Sequence, residues 1–269
     1  MAKLVRDLFH RGVLTCRQNS TLGQAAVLLE QHHIHALIVV DRDDRPLGII
    51  SDYDLLAGEW LSADPESLAT MRKLTVGELM SYPIDTVDAG MPLKEAAHLL
   101  IEKNIHRLLV NENGKSAGFI SISDFVSSIA EQEKARRANV ADVMSDAILV
   151  CRENTPIISA ARTMTQAGMR SVLVVDAKGV PQGLVSGVDL MPFVENGVDS
   201  QITVRSVMHP PLTIDLHASL REAADLMINN HHHRLVVVDQ SDPQTFPLGI
   251  ISSIDIVAEM ARPGSVWQM

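Results

Sequence analysis

Four times in this 269-residue chain a glycine-led apolar stretch ends in serine, with aspartate three positions later: Gly48 to Ser51 with Asp54, Gly118 to Ser121 with Asp124, Gly183 to Ser186 with Asp189, and Gly249 to Ser252 with Asp255. A serine hydroxyl and a carboxylate at this spacing can form a capping box that satisfies the first amides of a helix. The same pair can also hold a ligand. A short carboxylate at a strand end accepts hydrogen bonds from two vicinal hydroxyls such as those of a ribose, while the hydroxyl and the helix-start amides suit a phosphate. All four acids are Asp and none is Glu, which helix capping alone does not demand.

A second set of residues lies 18 to 22 positions upstream of each Asp: His35-Ala36, His106-Arg107, Arg170-Ser171 and His233-Arg234. Arg offers a planar fork of donors to phosphate oxygens, and a neighbouring His adds a donor that strengthens on protonation. Basic side chains at a helix C-terminus also compensate the helix dipole. The clusters His32-His33-x-His35 and His231-His232-His233 raise a transition-metal site or a pH response. Adjacent histidines diverge on a helix and no Cys joins them, so no metal is expected. Cys16 and Cys151 have no His partner suggested by position. No phosphate-binding Gly-rich loop or metalloprotease motif occurs, so the chain reads as a non-enzyme.

The elements that must position these residues recur with the motif, since the four Asp recur every 65 to 70 residues. Each unit opens with a turn (Val5 to Leu8, Val76 to Met80, Val140 to Met144, Val204 to Met208) and a short extended segment. An amphipathic helix follows, with apolar residues at relative positions 0, 3, 4 and 7: Leu22/Ala25/Ala26/Leu29, Leu93/Ala96/Ala97/Leu100, Ile157/Ala160/Ala161/Met164 and Leu220/Ala223/Ala224/Met227. The paired alanines predict close approach of whatever packs on that stripe. Then come a buried strand, a polar turn, the Gly-led strand and a second helix starting near the Asp. Such a unit cannot cover its own sheet, so units are expected to pair face to face. The charged stretch from Ala130 to Ala138 reads as a helical spacer between two paired modules.

Composition limits the function classes. With 46% hydrophobic residues the chain can bury a sizeable core. No apolar run approaches the roughly 18 residues of a membrane helix, and the N-terminus lacks a secretory core. Two cysteines beside apolar residues suggest free thiols and a cytoplasmic setting. A net charge of −10 argues against nucleic-acid binding and confines any anion site to a local patch.

With this fourfold pattern, each unit resembles a CBS domain, with boundaries at 5–62, 74–131, 139–195 and 202–262. The chain resembles two tandem pairs, or Bateman modules, at 1–136 and 137–269, and is similar to the nucleotide-sensing gamma subunit of AMP-activated protein kinase. The resemblance implies an α/β (α+β) fold of β-α-β-β-α repeats paired pseudo-twofold through their sheets. It also implies clefts between paired repeats that bind AMP, ADP, ATP or another adenosyl ligand as a regulatory ligand, and it places each Asp on ribose and the His-Arg pairs on phosphate.

Carried onto this sequence, the second cleft has Ser121, Ser123, Asp124, His106 and Arg107. The fourth has Ser252, Asp255, His233 and Arg234, with Ile254 where a second Ser would stand. The third keeps Ser186, Asp189 and Arg170, and the first keeps Ser51, Asp54 and His35, so the second and fourth are expected to bind most tightly. The adenine pocket would come from the paired repeat: Ser20, Ile34 and Ala36 for the second cleft, and Thr155, Met169 and Ser171 for the fourth. Expected overall is a sensor that changes shape for an unidentified protein target, without membrane or nucleic acid, as a single-chain disc or a head-to-head homodimer. An S-adenosylmethionine sensor and a structural module with empty clefts are the alternatives.

Overall fold

The computed structural model describes residues 3–32, 34–52, 54–55, 73–130, 138–193, 202–242 and 246–262. His33 and the centre of the expected spacer, 131–137, lie outside them, as do the expected domain ends at 62, 131 and 195. The described chain forms two compact units that interleave in sequence. One comprises 1–13, 85–148 and 212–269; the other comprises 14–84 and 149–211.

The first unit holds the bodies of the second and fourth repeats. The second repeat supplies β5 (Thr86–Asp88), α3 (Leu93–Glu102), β6 (Arg107–Glu112), β7 (Lys115–Ser121) and α4 (Ile122–Ala130). Its sheet runs β1-β7-β6-β5, the edge strand β1 (His10–Arg11) coming from the chain's start. The fourth repeat supplies β11 (Thr213–Asp215), α8 (Leu220–Asn229), β12 (Arg234–Val238), β13 (Pro247–Ser252) and α9 (Ser253–Ala261), with sheet order β11-β12-β13. In each repeat the central strand runs parallel to the strand before its helix and antiparallel to the Gly-led strand after it.

Helices join the two bodies: α4 packs on α8 and α3 on α9. The interface is the predicted stripe, since Leu93, Ala96, Ala97, Leu100, Leu220, Ala223, Ala224 and Met227 are all buried in one cluster with Phe125 and Met260. Alanines at the centre of the stripe let the helix backbones come close enough for the flanking Leu and Met side chains to interlock.

The second unit repeats this plan with the first and third repeats. β2 (Thr15–Arg17), α1 (Leu22–Gln31), β3 (Ala36–Val40) and β4 (Pro46–Ser51) form one body. β8 (Val150–Cys151), α6 (Ile157–Ala167), β9 (Ser171–Val175), β10 (Pro181–Ser186) and α7 (Gly187–Leu190) form the other. Their sheets run β2-β3-β4 and β10-β9-β8, and one cluster joins Leu22, Ala25, Ala26 and Leu29 to Ile157, Ala160, Ala161 and Met164. The central strands β3 and β9 are buried along their whole length, so both sheet faces are covered.

Each repeat body is completed by the opening turn of a different repeat. The turn at Val5–Asp7 hangs on the second repeat, Val5 N donating to Met91 O at 2.9 Å and Arg6 N to Ala89 O at 2.8 Å. Conversely α2 (Val76–Leu79) hangs on the first repeat through Val76 N to Ser20 O at 2.8 Å and Gly77 N to Gln18 O at 2.7 Å. The third and fourth repeats exchange likewise. Val140, opening α5 (Val140–Val143), donates to Ala218 O at 2.9 Å, and Val204 donates to Thr155 O at 2.9 Å. Sequence order thus assigns each turn to the repeat that follows it, whereas its hydrogen bonds go to another.

Each exchanged segment then runs along the Gly-led strand of the body that receives it. His10 pairs with Phe119, Ser81 with Ile49, Ser145 with Ile250 and His209 with Leu184. This explains the recurring glycine. A Cβ at Gly118 would lie 1.8 Å from His10 O, and one at Gly48 would lie 2.5 Å from Ser81 O. Any side chain there collides with the incoming backbone.

Candidate functional site

The four Ser-x-x-Asp motifs share one geometry. In each, the Ser amide and hydroxyl both donate to the same carboxylate oxygen, Oδ2. The distances are 2.8 and 2.6 Å at Asp54, 2.6 and 2.8 Å at Asp124, 2.7 and 2.8 Å at Asp189, and 2.7 and 2.6 Å at Asp255. The half of the capping box in which the Asp side chain accepts from its Ser is therefore realised four times. It does not exhaust the carboxylate. Two donors fill the lone pairs of Oδ2 and leave Oδ1 for another donor.

What reaches Oδ1 divides the repeats into two classes. At Asp124 it is His10 Nε2, 2.5 Å away, and at Asp189 it is His209 Nε2, 2.8 Å away. Asp54 and Asp255 accept no Oδ1 hydrogen bond from a described residue. The sequence reading missed both histidines because they belong to the exchanged opening segments, far in sequence from the Asp they meet. Aligning the four opening valines finds them: five residues on stand His10, Ser81, Ser145 and His209.

Burial pushes the Asp54 and Asp124 carboxyls above their usual range. At Asp124 the Ser121 donors and His10 pull it back, and at Asp54 the Ser51 donors and the Arg170 guanidinium do so. Arg170 stands in the third repeat and Asp54 in the first, so the second unit brings the cation of one repeat to the carboxylate of another. The sequence had grouped Arg170 with Asp189 of its own repeat.

The His-Arg pairs divide by position. Arg107 begins β6 directly across the ladder from Ser121, and Arg234 begins β12 across from Ser252. Directly opposed residues of an antiparallel pair point to the same sheet face. Each Arg thus shares a face with the Ser of its own motif, opposite the face that Leu108 and Val110, or Leu235 and Val237, present to the helices. Ala36 and Ser171 occupy this place beside Ser51 and Ser186, so the first and third repeats carry no guanidinium there.

The preceding histidines are held by their backbones, the carbonyls of His106 and His233 accepting from Ile122 N and Ser253 N. His35 differs. Its Nδ1 meets Oδ2 of buried Asp52 at 3.0 Å, and an acid at that place makes the first site poorer for an anion. Ser123 is half-buried on the first turn of α4, beside Asp124. In the His231 to His233 cluster, His231 adopts a left-handed φ of 55° just beyond the end of α8.

The residues assigned to adenine pockets all lie in the unit of the first and third repeats. Ser20 and Thr155 lend their carbonyls to the incoming turns. Ile34 and Met169 are half-buried where the helix enters the central strand, and Ala36 and Ser171 are buried. In that unit a cavity of about 350 Å³ is bounded by Asp189, Pro192, Phe193, Ser206, Val207, Met208 and His209. Burial raises the thiol of Cys16 to about 11 and also raises that of Cys151, so neither is a ready nucleophile.

The CBS domain family model matches residues 5–59, 76–131, 140–196 and 204–262. An uncharacterised protein of Methanocaldococcus jannaschii is 25% identical over 275 residues, covering 96% of this chain and 62% of that one. The chain spans about three-fifths of the length of such curated relatives. Among solved structures, a Methanocaldococcus jannaschii protein proposed as an archaeal homologue of the AMPK gamma subunit superposes with a TM-score of 0.83 at 18% identity, covering 96% of this chain and all of that one. An uncharacterised conserved protein from Pyrococcus horikoshii gives 0.65 at 20% identity, covering 95% and 99%. At these identities the likeness is one of fold, and four matched repeats covering most of the sequence place this chain in the CBS-domain family.

Proposed function

We propose that this protein is a cytoplasmic regulatory sensor that binds AMP, ADP or ATP between paired CBS domains and changes shape for a protein target. The paired modules are 1–136 and 137–269, and the reciprocal exchange of opening turns within each pair supports that division. The observation that carries the reading is the fourfold carboxylate whose Oδ2 is consumed by its own Ser, so that a further donor must address Oδ1, which an imidazole does at Asp124 and Asp189 and no described residue does at Asp54 and Asp255. A ribose hydroxyl is such a donor, and an Arg shares the sheet face of the Ser in the second and fourth repeats, where a phosphate would follow.

Regulation follows by linkage. A ligand that bridges two repeats favours one arrangement, and a target that prefers that arrangement binds better by the same factor. S-adenosylmethionine is the competing ligand and carries no phosphate for Arg107 and Arg234.

Calorimetric titration with AMP, ADP, ATP and S-adenosylmethionine tests the reading, together with Arg107→Ala. Micromolar binding of a nucleotide is expected. The Arg107 substitution is expected to weaken ATP about tenfold or more, in line with the ~1.5–3 kcal/mol of a charge-assisted hydrogen bond, and adenosine little. Equal losses for ATP and adenosine would remove the phosphate role, and no binding of any of the four would remove the function.

A further inference from the structure

The opening segments deliver chemistry as well as backbone. Two bring an imidazole to the carboxylate of the repeat that receives them, His10 to Asp124 and His209 to Asp189, and two bring a serine, Ser81 and Ser145. The alternation follows the exchange: the first and fourth segments carry His and the second and third carry Ser, so the second and third repeats receive His. The consequence is visible in access. The Asp124 side chain is 3% exposed and that of Asp189 is 15%, while their histidines are 82% and 57% exposed. The imidazole lies outside and the carboxylate beneath it. At Asp189 the pair borders the open cavity with Phe193, Ser206 and Met208, so the covered oxygen adjoins space that a ligand can fill.

We propose that His10 and His209 are specificity residues that stand in for the ligand hydroxyls at Asp124 and Asp189, so that these two sites fill only when the imidazole leaves, whereas no described residue holds Oδ1 by a hydrogen bond at Asp54 or Asp255. The proposal rests on the reading of the Asp residues as ribose acceptors. Lone-pair counting supports it. Oδ2 already accepts two donors, so a vicinal diol must address Oδ1, and His takes one of its two lone pairs.

The test uses full-length protein carrying Asp54→Asn and Asp255→Asn, which leaves the two histidine-covered sites. AMP is titrated with and without His10→Ser and His209→Ser, the serines copying the other two repeats. The expected result is binding about fivefold tighter in the serine variants, the scale of about one hydrogen bond that no longer has to be displaced.

Equal affinities with and without the histidines would overturn the proposal while leaving the nucleotide reading intact. Weaker binding in the serine variants would also overturn it, by making the histidines ligand donors. Wild-type protein titrated in parallel separates the two readings, because absence of AMP binding there defeats the nucleotide function itself and the proposal with it.

Discussion

At the scale of single residues, Asp124 is an ionisable group that the fold accommodates at a cost. Burial raises its folded-state pKa, so protonation is linked to stability: this contribution is fully present below the unfolded value of about 3.9 and is lost as pH rises through the higher folded value. Above that range the ionised form is maintained against its desolvation by Ser121 and His10. A neutral isostere should therefore cost little. Asp124→Asn keeps one carbonyl acceptor for the Ser121 amide and removes the buried charge, so thermal stability near pH 7 is expected to stay within about 1 kcal/mol of wild type, the worth of a cap. Nucleotide binding at that site should be lost. A residue that can be replaced without structural loss but not without functional loss is serving the ligand. A drop of several kcal/mol in a denaturant melt would instead assign Asp124 to the fold.

At the scale of elements, the glycine of each motif and the segment exchange explain each other. The sequence showed Gly48, Gly118, Gly183 and Gly249 as strand leaders but held no sign of the backbone that crosses above them. That contact joins residues such as Gly118 and His10, which no local period connects. Helix stripes were legible because packing imposes the 3.6-residue period on the residues themselves, and every predicted stripe residue is buried. The Ser-x-x-Asp motif was legible because it is local. His10, His209, Asp52 and the approach of Arg170 to Asp54 were not, since each depends on tertiary pairing. Gly118→Ala tests the exchange directly. Its Cβ meets His10 O at 1.8 Å, so β1 must lift, and the Gly12 amide loses its 3.0 Å bond to Ala117 O. Faster hydrogen exchange over residues 10–12 and a loss of about 1–3 kcal/mol are expected, as for other insertions into packed sites. Unchanged exchange there would mean that close approach is not what requires glycine.

For the whole molecule, the decisive fact is that each compact unit draws on both halves of the chain. The second repeat buries its helices against the fourth and the first against the third. Residues 1–136 therefore contain two repeats whose helix stripes have their described partners beyond position 136. In such a fragment Leu93, Leu100, Phe125 and Leu22, all essentially buried in the full chain, would face water on the side that α8, α9 and α6 now cover. Each large apolar side chain exposed costs about 1.5–3 kcal/mol, and a contiguous patch of this kind drives association. The fragment 1–136 is accordingly expected to sediment as a dimer or larger at micromolar concentration. Mixed with 137–269 it should pass to a one-to-one complex, because the fourth repeat offers the helices that the second lacks. A folded, monomeric 1–136 that ignores 137–269 would show that the helix interfaces contribute little to stability, and that each tandem pair stands on its own sheets and exchanged turns.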